Sequence, residues 1–172
     1  SLPLPVVTKP PRQGSSIGIA SARTREEFSR AMAETLKYGP EALVEAFVPG
    51  HELTVGLVDG EPLPIVEIVP RGGFYGYAQK YTKGQTRYLC PAPLTAARRR
   101  RCQDLALGVY RALGCRGMGR VDFRMTPDGA PFVLEMNTIP GFTETSLLPK
   151  AAAQAGIGFS ALCARILETA AV

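Results

Sequence analysis

A chain of 172 residues with 45% hydrophobic content is long enough to bury a core, which excludes a disordered tail. No run approaches the ~20 apolar residues of a membrane helix, and the opening Ser1-Leu2-Pro3-Leu4-Pro5 lacks a signal-peptide pattern, so a cytoplasmic setting without a membrane partner is expected. The net charge of +5 owes much to the Arg98-Arg99-Arg100-Arg101 run, read as the exposed start of a helix and not as a nucleic-acid surface, while four scattered cysteines and a single histidine, His51, argue against zinc and disulfides.

Residues 4–9 read as a short strand stopped by Pro10-Pro11, and a chain that opens so abruptly reads as a piece of something longer. The loop Arg12-Gln13-Gly14-Ser15-Ser16-Ile17-Gly18 is small, polar and glycine-flanked. Its backbone N–H groups and serine hydroxyls could face anionic oxygens, with Lys9 supplying charge, although it lacks Walker spacing and an ordinary turn would account for it. Thr24-Arg25-Glu26-Glu27 is a capping box that opens a helix to about Tyr38, where Gly39-Pro40 ends it. Three strands, 42–48, 52–58 and 63–69, follow as an antiparallel meander, separated by Pro49-Gly50 and Asp59-Gly60. Within them, Glu45 beside Phe47 could accept from an adenine amino group and Glu52 from ribose hydroxyls; equally, both could face water.

Residues 70–93, rich in glycine and tyrosine, are too many for an idle connection and predict a lid or Ω-loop with Lys80 and Tyr81 at its tip. A second helix starts near Thr95 with Cys102, Leu105, Ala106, Val109, Tyr110 and Leu113 on its apolar seam, and Gly114 closes it. At the other end of the chain, the hydroxyl-rich Gly141-Phe142-Thr143-Glu144-Thr145-Ser146-Leu147 runs into small helices, the last packing through Leu162, Ile166 and Leu167.

Between them lies a hairpin around Thr126-Pro127-Asp128-Gly129. Val121, Phe123 and Met125 alternate with Arg120 and Asp122; across the turn, Phe132, Leu134 and Met136 are apolar and Glu135 and Asn137 polar. Pairing Met125 with Ala130 sets Arg120 opposite Glu135, with Asp122 diagonal to it at roughly 7–8 Å. Two carboxylates and an amide beside a guanidinium suit a hard cation such as Mg²⁺, or equally a solvated face with a cross-strand ion pair.

Taken in order, Lys9-Pro10, Gly14-Ser15-Ser16-Ile17-Gly18, Glu45, Glu52-Leu53-Thr54-Val55, Phe74-Tyr75, Lys80-Tyr81, Cys90-Pro91-Ala92, Arg120-Val121-Asp122 and Glu135-Met136-Asn137-Thr138-Ile139-Pro140-Gly141 resemble the ATP-grasp catalytic portion of the D-alanine–D-alanine ligases. The resemblance runs from Leu4 to about Ala170. It implies an α+β fold, a partial ATP-grasp of two small lobes of antiparallel sheet with packed helices: a central lobe over 1–69, the lid over 70–93, and a C-terminal lobe with the metal hairpin over 94–172. It implies that ATP phosphorylates one D-alanine, whose acyl phosphate is attacked by the amine of a second, making D-alanyl-D-alanine for peptidoglycan and so for cell shape in a bacterium.

By resemblance, Lys9 and Lys80 hold phosphates, Glu45 the adenine amino group, Phe47 and Val48 the base, and Glu52 the ribose. Asp122, Glu135 and Asn137 bind two Mg²⁺ ions, with Mn²⁺ as a possible substitute. Arg120 and the Gly141 N–H stabilise the oxyanion, Ser146 and Leu147 receive the second carboxylate, and Ser15 with Tyr81 holds the lid closed. Two departures stand out. The family's amino-terminal domain and the opening of its ATP-grasp region are missing, so the chain is expected to be inactive alone and monomeric where its parent is a homodimer. Gly76 and Ala78 replace two acidic lid positions. Joining D-alanine to D-lactate or D-serine, another ATP-grasp ligation, and a non-catalytic nucleotide-binding module are the alternatives.

Overall fold

The computed structural model describes residues 2–70 and 86–170, which fall into two compact units: one reaches to Val48, and the other takes in Pro49–Val69 and the chain from Arg87 onward. Most of the expected lid, Lys80 and Tyr81 included, lies outside the described residues.

In the first unit, β1 (Val6–Lys9) is the middle strand of an antiparallel sheet, flanked by β2 (Ala20–Ala22) and β3 (Leu43–Ala46). Alternation buries Val6 and Thr8 and leaves Val7 and Lys9 partly exposed. Helix α1 (Arg25–Thr35) covers the buried face. Thr24 caps it, its side chain accepting the Glu27 N–H at 3.2 Å, while the Glu27 carboxylate takes the N–H of Arg23 at 2.7 Å. The capping box thus forms with its return bond one residue upstream of the cap. A 3₁₀ turn, Leu36–Tyr38, carries the helix to Gly39 as expected. The buried hydroxyls of Thr8 and Thr35 lie 2.8 Å apart, and Thr35 donates to the Gly18 carbonyl at 3.0 Å, tying the polar loop to the helix.

In the second unit the sheet order is β7 (Thr86–Leu89), β6 (Val66–Pro70), β4 (His51–Val58), β8 (Met118–Met125) and β9 (Pro131–Asn137), with β5 (Glu61–Pro62) folded back on β4. Asp59 and Gly60 both take positive φ, 52° and 76°, the backbone that a two-residue hairpin turn requires. Two expectations change here. Residues 42–48 do not begin a meander, because β3 pairs with β1 whereas β4 pairs with β6 on one side and β8 on the other. Alternation marks a strand without naming its partner. In addition, Thr86–Leu89, at the end of the expected lid, is a strand on the sheet edge. Strands β4 to β6 therefore share a unit with the hairpin and not with the opening residues.

Strand β4 is covered on both faces. Leu53, Val55 and Leu57 join Val121, Phe123 and Met125 of β8 beneath helix α2 (Ala96–Ala112), which presents Cys102, Ala106 and Tyr110 at four-residue spacing. Leu105 and Leu113 leave the expected seam, at 38% and 63% exposed, since Leu105 lies on the helix flank and Leu113 is its capping residue beyond the last turn. On the opposite face, α3 (Leu147–Gln154) and α4 (Phe159–Ala170) pack Leu148, Ala151, Ala152 and Leu162 against Val58, Leu63 and Val66. Ile166 packs at the margin of this cluster, but Leu167, one position further round the helix, is 70% exposed.

Burial pushes the Cys102 thiol up to about 11 from its ordinary 9.0. Between those values the folded chain keeps a proton that the unfolded chain has lost, so this group's contribution to stability is complete below pH 9 and disappears as pH rises through about 11. Native Cys102 is expected to resist iodoacetamide at mildly alkaline pH and to label only in urea, as read by mass spectrometry; labelling of the native chain at a free thiol's rate would contradict this burial.

Candidate active site

The face of β4 and β8 opposite α2 carries the chemistry. Register pairs Glu52 with Arg124, Thr54 with Asp122, and Gly56 with Arg120, so period-two alternation brings polar side chains from two strands into one row. The hairpin extends the row differently from expectation. Met125 pairs with Pro131, Arg124 with Phe132 and Phe123 with Val133; a shift then sets Asp122 opposite Glu135 and Arg120 opposite Asn137. The extra residue is Leu134, a bulge that strict alternation does not reveal. Phe132, Leu134 and Met136 consequently do not share one apolar face: Phe132 lies on the side of Arg124 and is exposed, while Met136 packs against the core. The bulge is also what turns Glu135 and Asn137 to the side of Asp122.

Asp122 is the centre of the row. Arg120 grips it with both ends of its guanidinium, Nε to Oδ1 and Nη2 to Oδ2, each at 2.8 Å. Asn137 Nδ2 donates to Oδ2 at 3.1 Å and the Thr54 hydroxyl to Oδ1 at 2.7 Å. Glu135 is exposed beside this cluster. Among the described residues no three His, Cys, Asp or Glu side chains gather as a ligand set, so a cation here would need the Asn137 amide oxygen beside the two carboxylates. That donor set is oxygen throughout and fits a hard divalent ion in kind. As arranged, both Asp122 oxygens already answer Arg120, and a bound cation would share that carboxylate with the guanidinium.

Helix α3 begins close to the same row, because it packs onto the one position of β4 without a side chain: a Cβ on Gly56 would lie 3.4 Å from Leu148 Cγ. Ser146, at the helix start, makes no side-chain cap. Its hydroxyl instead accepts the Thr143 N–H at 3.0 Å and lies 2.9 Å from the Thr143 hydroxyl. Gly141 is adjacent, since a Cβ there would lie 3.4 Å from Ser146 Oγ. Arg120, Gly141, Ser146 and Leu147 thus belong to one neighbourhood of the second unit, next to the end of a helix whose N–H groups favour an anion.

A family model described as "D-ala D-ala ligase C-terminus" matches residues 1–168. The chain belongs to this family of D-alanine–D-alanine ligase C-terminal regions. A D-alanine–D-alanine ligase of Syntrophotalea carbinolica is 50% identical over 168 residues, covering 98% of this chain and 55% of that protein. The solved D-alanine–D-alanine ligase of Bacillus anthracis complexed with ATP is 35% identical with a TM-score of 0.80, covering 97% of this chain and 53% of that one. VanG D-Ala:D-Ser ligase of Enterococcus faecalis is 32% identical with a TM-score of 0.85, covering 98% and 50%. The chain spans about half the length of the curated relatives it matches. The fold is accordingly the α+β ATP-grasp of these ligases, in part.

Among the positions that the ligase resemblance singled out, Lys9 and Glu45 meet as an ion pair at 2.8 Å across β1 and β3. Phe47 and Val48 follow β3 directly, the Phe47 N–H bonded to the Pro5 carbonyl at 3.0 Å. Ser15 and Ser16 both adopt left-handed backbone, φ 54° and 61°, inside the glycine-flanked loop. Glu52 is held by Arg124, Nη1 to Oε2 at 3.4 Å, while Arg124 Nη2 also reaches the Gly50 carbonyl at 3.1 Å. Sequence reasoning missed three members of this ligase region: Thr54, Arg124 and Thr143. The signal for two of them was available, because Thr54 stands two residues from Glu52 and Arg124 two from Asp122, the spacing that puts strand residues on one face.

Proposed function

We propose that this chain is the ATP-grasp portion of a bacterial cytoplasmic ligase that joins two D-alanines to D-alanyl-D-alanine through an acyl phosphate, supplying a peptidoglycan precursor. The observation that carries the reading is the row centred on Asp122, where a carboxylate, a guanidinium and an amide are bonded together beside Glu135 in a member of the ligase family. Lys9 with Lys80 would neutralise ATP phosphates, Glu45 would accept from the adenine amino group, Phe47 and Val48 would bracket the base, and Glu52 would accept from the ribose. Asp122, Glu135 and Asn137 would hold Mg²⁺ as two ions, or Mn²⁺ in its place, which when bound neutralises charge on the transferring phosphoryl group.

Arg120 and the Gly141 N–H would donate to the oxyanion formed when the second amine attacks, preorganised donors being worth most where charge develops. Ser146 and the Leu147 N–H would receive the second carboxylate, the role that suits an uncapped helix start. Ser15 and Tyr81 would hold a lid that keeps water from the acyl phosphate. The relatives extend well beyond the matched region, and the reading includes their remaining half as a requirement for turnover and as part of a homodimer. Nucleic acid has no place in it.

The test is a chimaera in which this chain replaces the matching half of the Syntrophotalea relative. Production of D-alanyl-D-alanine with ATP, lost on Asp122→Asn, is the expected result. Preferential use of D-serine or D-lactate as the second substrate would overturn the substrate reading, and ATP binding without any ligation would overturn the catalytic one.

A further inference from the structure

Thr54 is 1% exposed, yet it places a hydroxyl in the middle of a strand whose neighbours Leu53 and Val55 are wholly apolar. A valine would fill the same space without a polar atom to satisfy. The hydroxyl has one proton, and its short contact is with Asp122 Oδ1 at 2.7 Å, against 3.4 Å to the Val121 carbonyl. Asp122 has two further donors to its side chain, Arg120 and Asn137, and they differ from Thr54 in kind. The guanidinium is a cation on a long side chain and competes directly with any metal for the same oxygens. The Asn137 amide is itself a candidate ligand. Only the Thr54 hydroxyl is neutral, buried and free of any other role, so it alone can hold the carboxylate in one orientation whether or not a cation is present.

We infer that Thr54 is a positioning residue for Asp122, fixing the rotamer in which that carboxylate meets a divalent cation. This rests on the reading of Asp122 as a cation ligand. Partners that orient metal ligands from behind are commonly worth about 10–100-fold in affinity. The register places Thr54 directly across from Asp122 in the β4–β8 ladder, close enough for a short hydroxyl side chain to reach the carboxylate.

The experiment titrates the chain with Mn²⁺ alone, counting free ion by electron paramagnetic resonance, and follows metal-free melting in parallel. Thr54→Val is expected to weaken Mn²⁺ binding by about 10-fold, and Thr54→Ser, which restores the hydroxyl, to stay within about 3-fold of the unmodified chain. Thr54→Ala, which adds no bulk, serves if the valine chain does not fold, with the same loss expected. Unchanged affinity in a folded Thr54→Val or Thr54→Ala chain overturns the positioning role. If Asp122→Asn also binds Mn²⁺ as the unmodified chain does, or if that chain binds none, the cation reading falls and the Thr54 assignment with it.

Discussion

Asp122→Ala is expected to lower the stability of the chain by about 2–4 kcal/mol, far more than a surface carboxylate would. The side chains of Arg120 and Asp122 are only 16% and 18% exposed, so the pair is largely withdrawn from water. Truncating the carboxylate takes the acceptor from two guanidinium donors, a buried threonine hydroxyl and an amide at once, and the donors keep their desolvation without the bonds that offset it. Urea unfolding measures the loss. The double variant Arg120→Met with Asp122→Leu should recover most of it, because removing both charges of a buried pair is often neutral where removing one is not. A loss below about 0.5 kcal/mol for Asp122→Ala would mean that water already satisfies these groups.

The same pairing recurs at three of the four carboxylates with a proposed ligand role. Glu45 meets Lys9 at 2.8 Å, Glu52 meets Arg124 at 3.4 Å, and Asp122 meets Arg120 at 2.8 Å. Each acid is therefore charge-neutralised within its own unit, which lowers the repulsion that an unpaired carboxylate would exert on an anionic ligand. Lys9 and Arg120 are also proposed to contact ligand, so binding would exchange an internal partner for an external one, while Arg124 would stay to orient Glu52.

How far such features could be read in advance depends on the range of the interaction. Thr24 with Glu27, and Asp59 with Gly60, were legible because a capping bond and a tight turn are settled within four residues. The apolar face of Val121, Phe123 and Met125 was legible for the same reason, alternation being a property of the strand itself. The partner of β3 was not, since Val7 and Glu45 meet across thirty-seven intervening positions of chain and nothing local distinguishes that partner from β4. Nor was the bulge at Leu134, an apolar residue that keeps the written pattern intact while the ladder slips by one. The full set of candidate residues follows from the resemblance to the ligases, whereas their mutual bonds, and Thr54 behind Asp122, come only with register.

Phe123→Ala tests whether core packing holds that register. Phe123 is wholly buried, pairs with Leu53 on one side and Val133 on the other, and is the last regular position before the ladder shifts at Asp122. Losing the ring should cost about 3–5 kcal/mol from lost burial and the cavity left under α2, a large part of the ~5–15 kcal/mol that a domain has in total. Phe123→Leu should cost less than half as much, since most of the volume returns. If the aromatic fixes the bulge as well as the core, amide exchange in Phe123→Ala will rise first at Val133, Leu134 and Glu135, next to the shift, and only later in β4. Uniform acceleration across β4, β8 and β9 would show instead that the bulge is held by the polar row, with Asp122 and its donors as its anchor and the ring beneath it as filling alone.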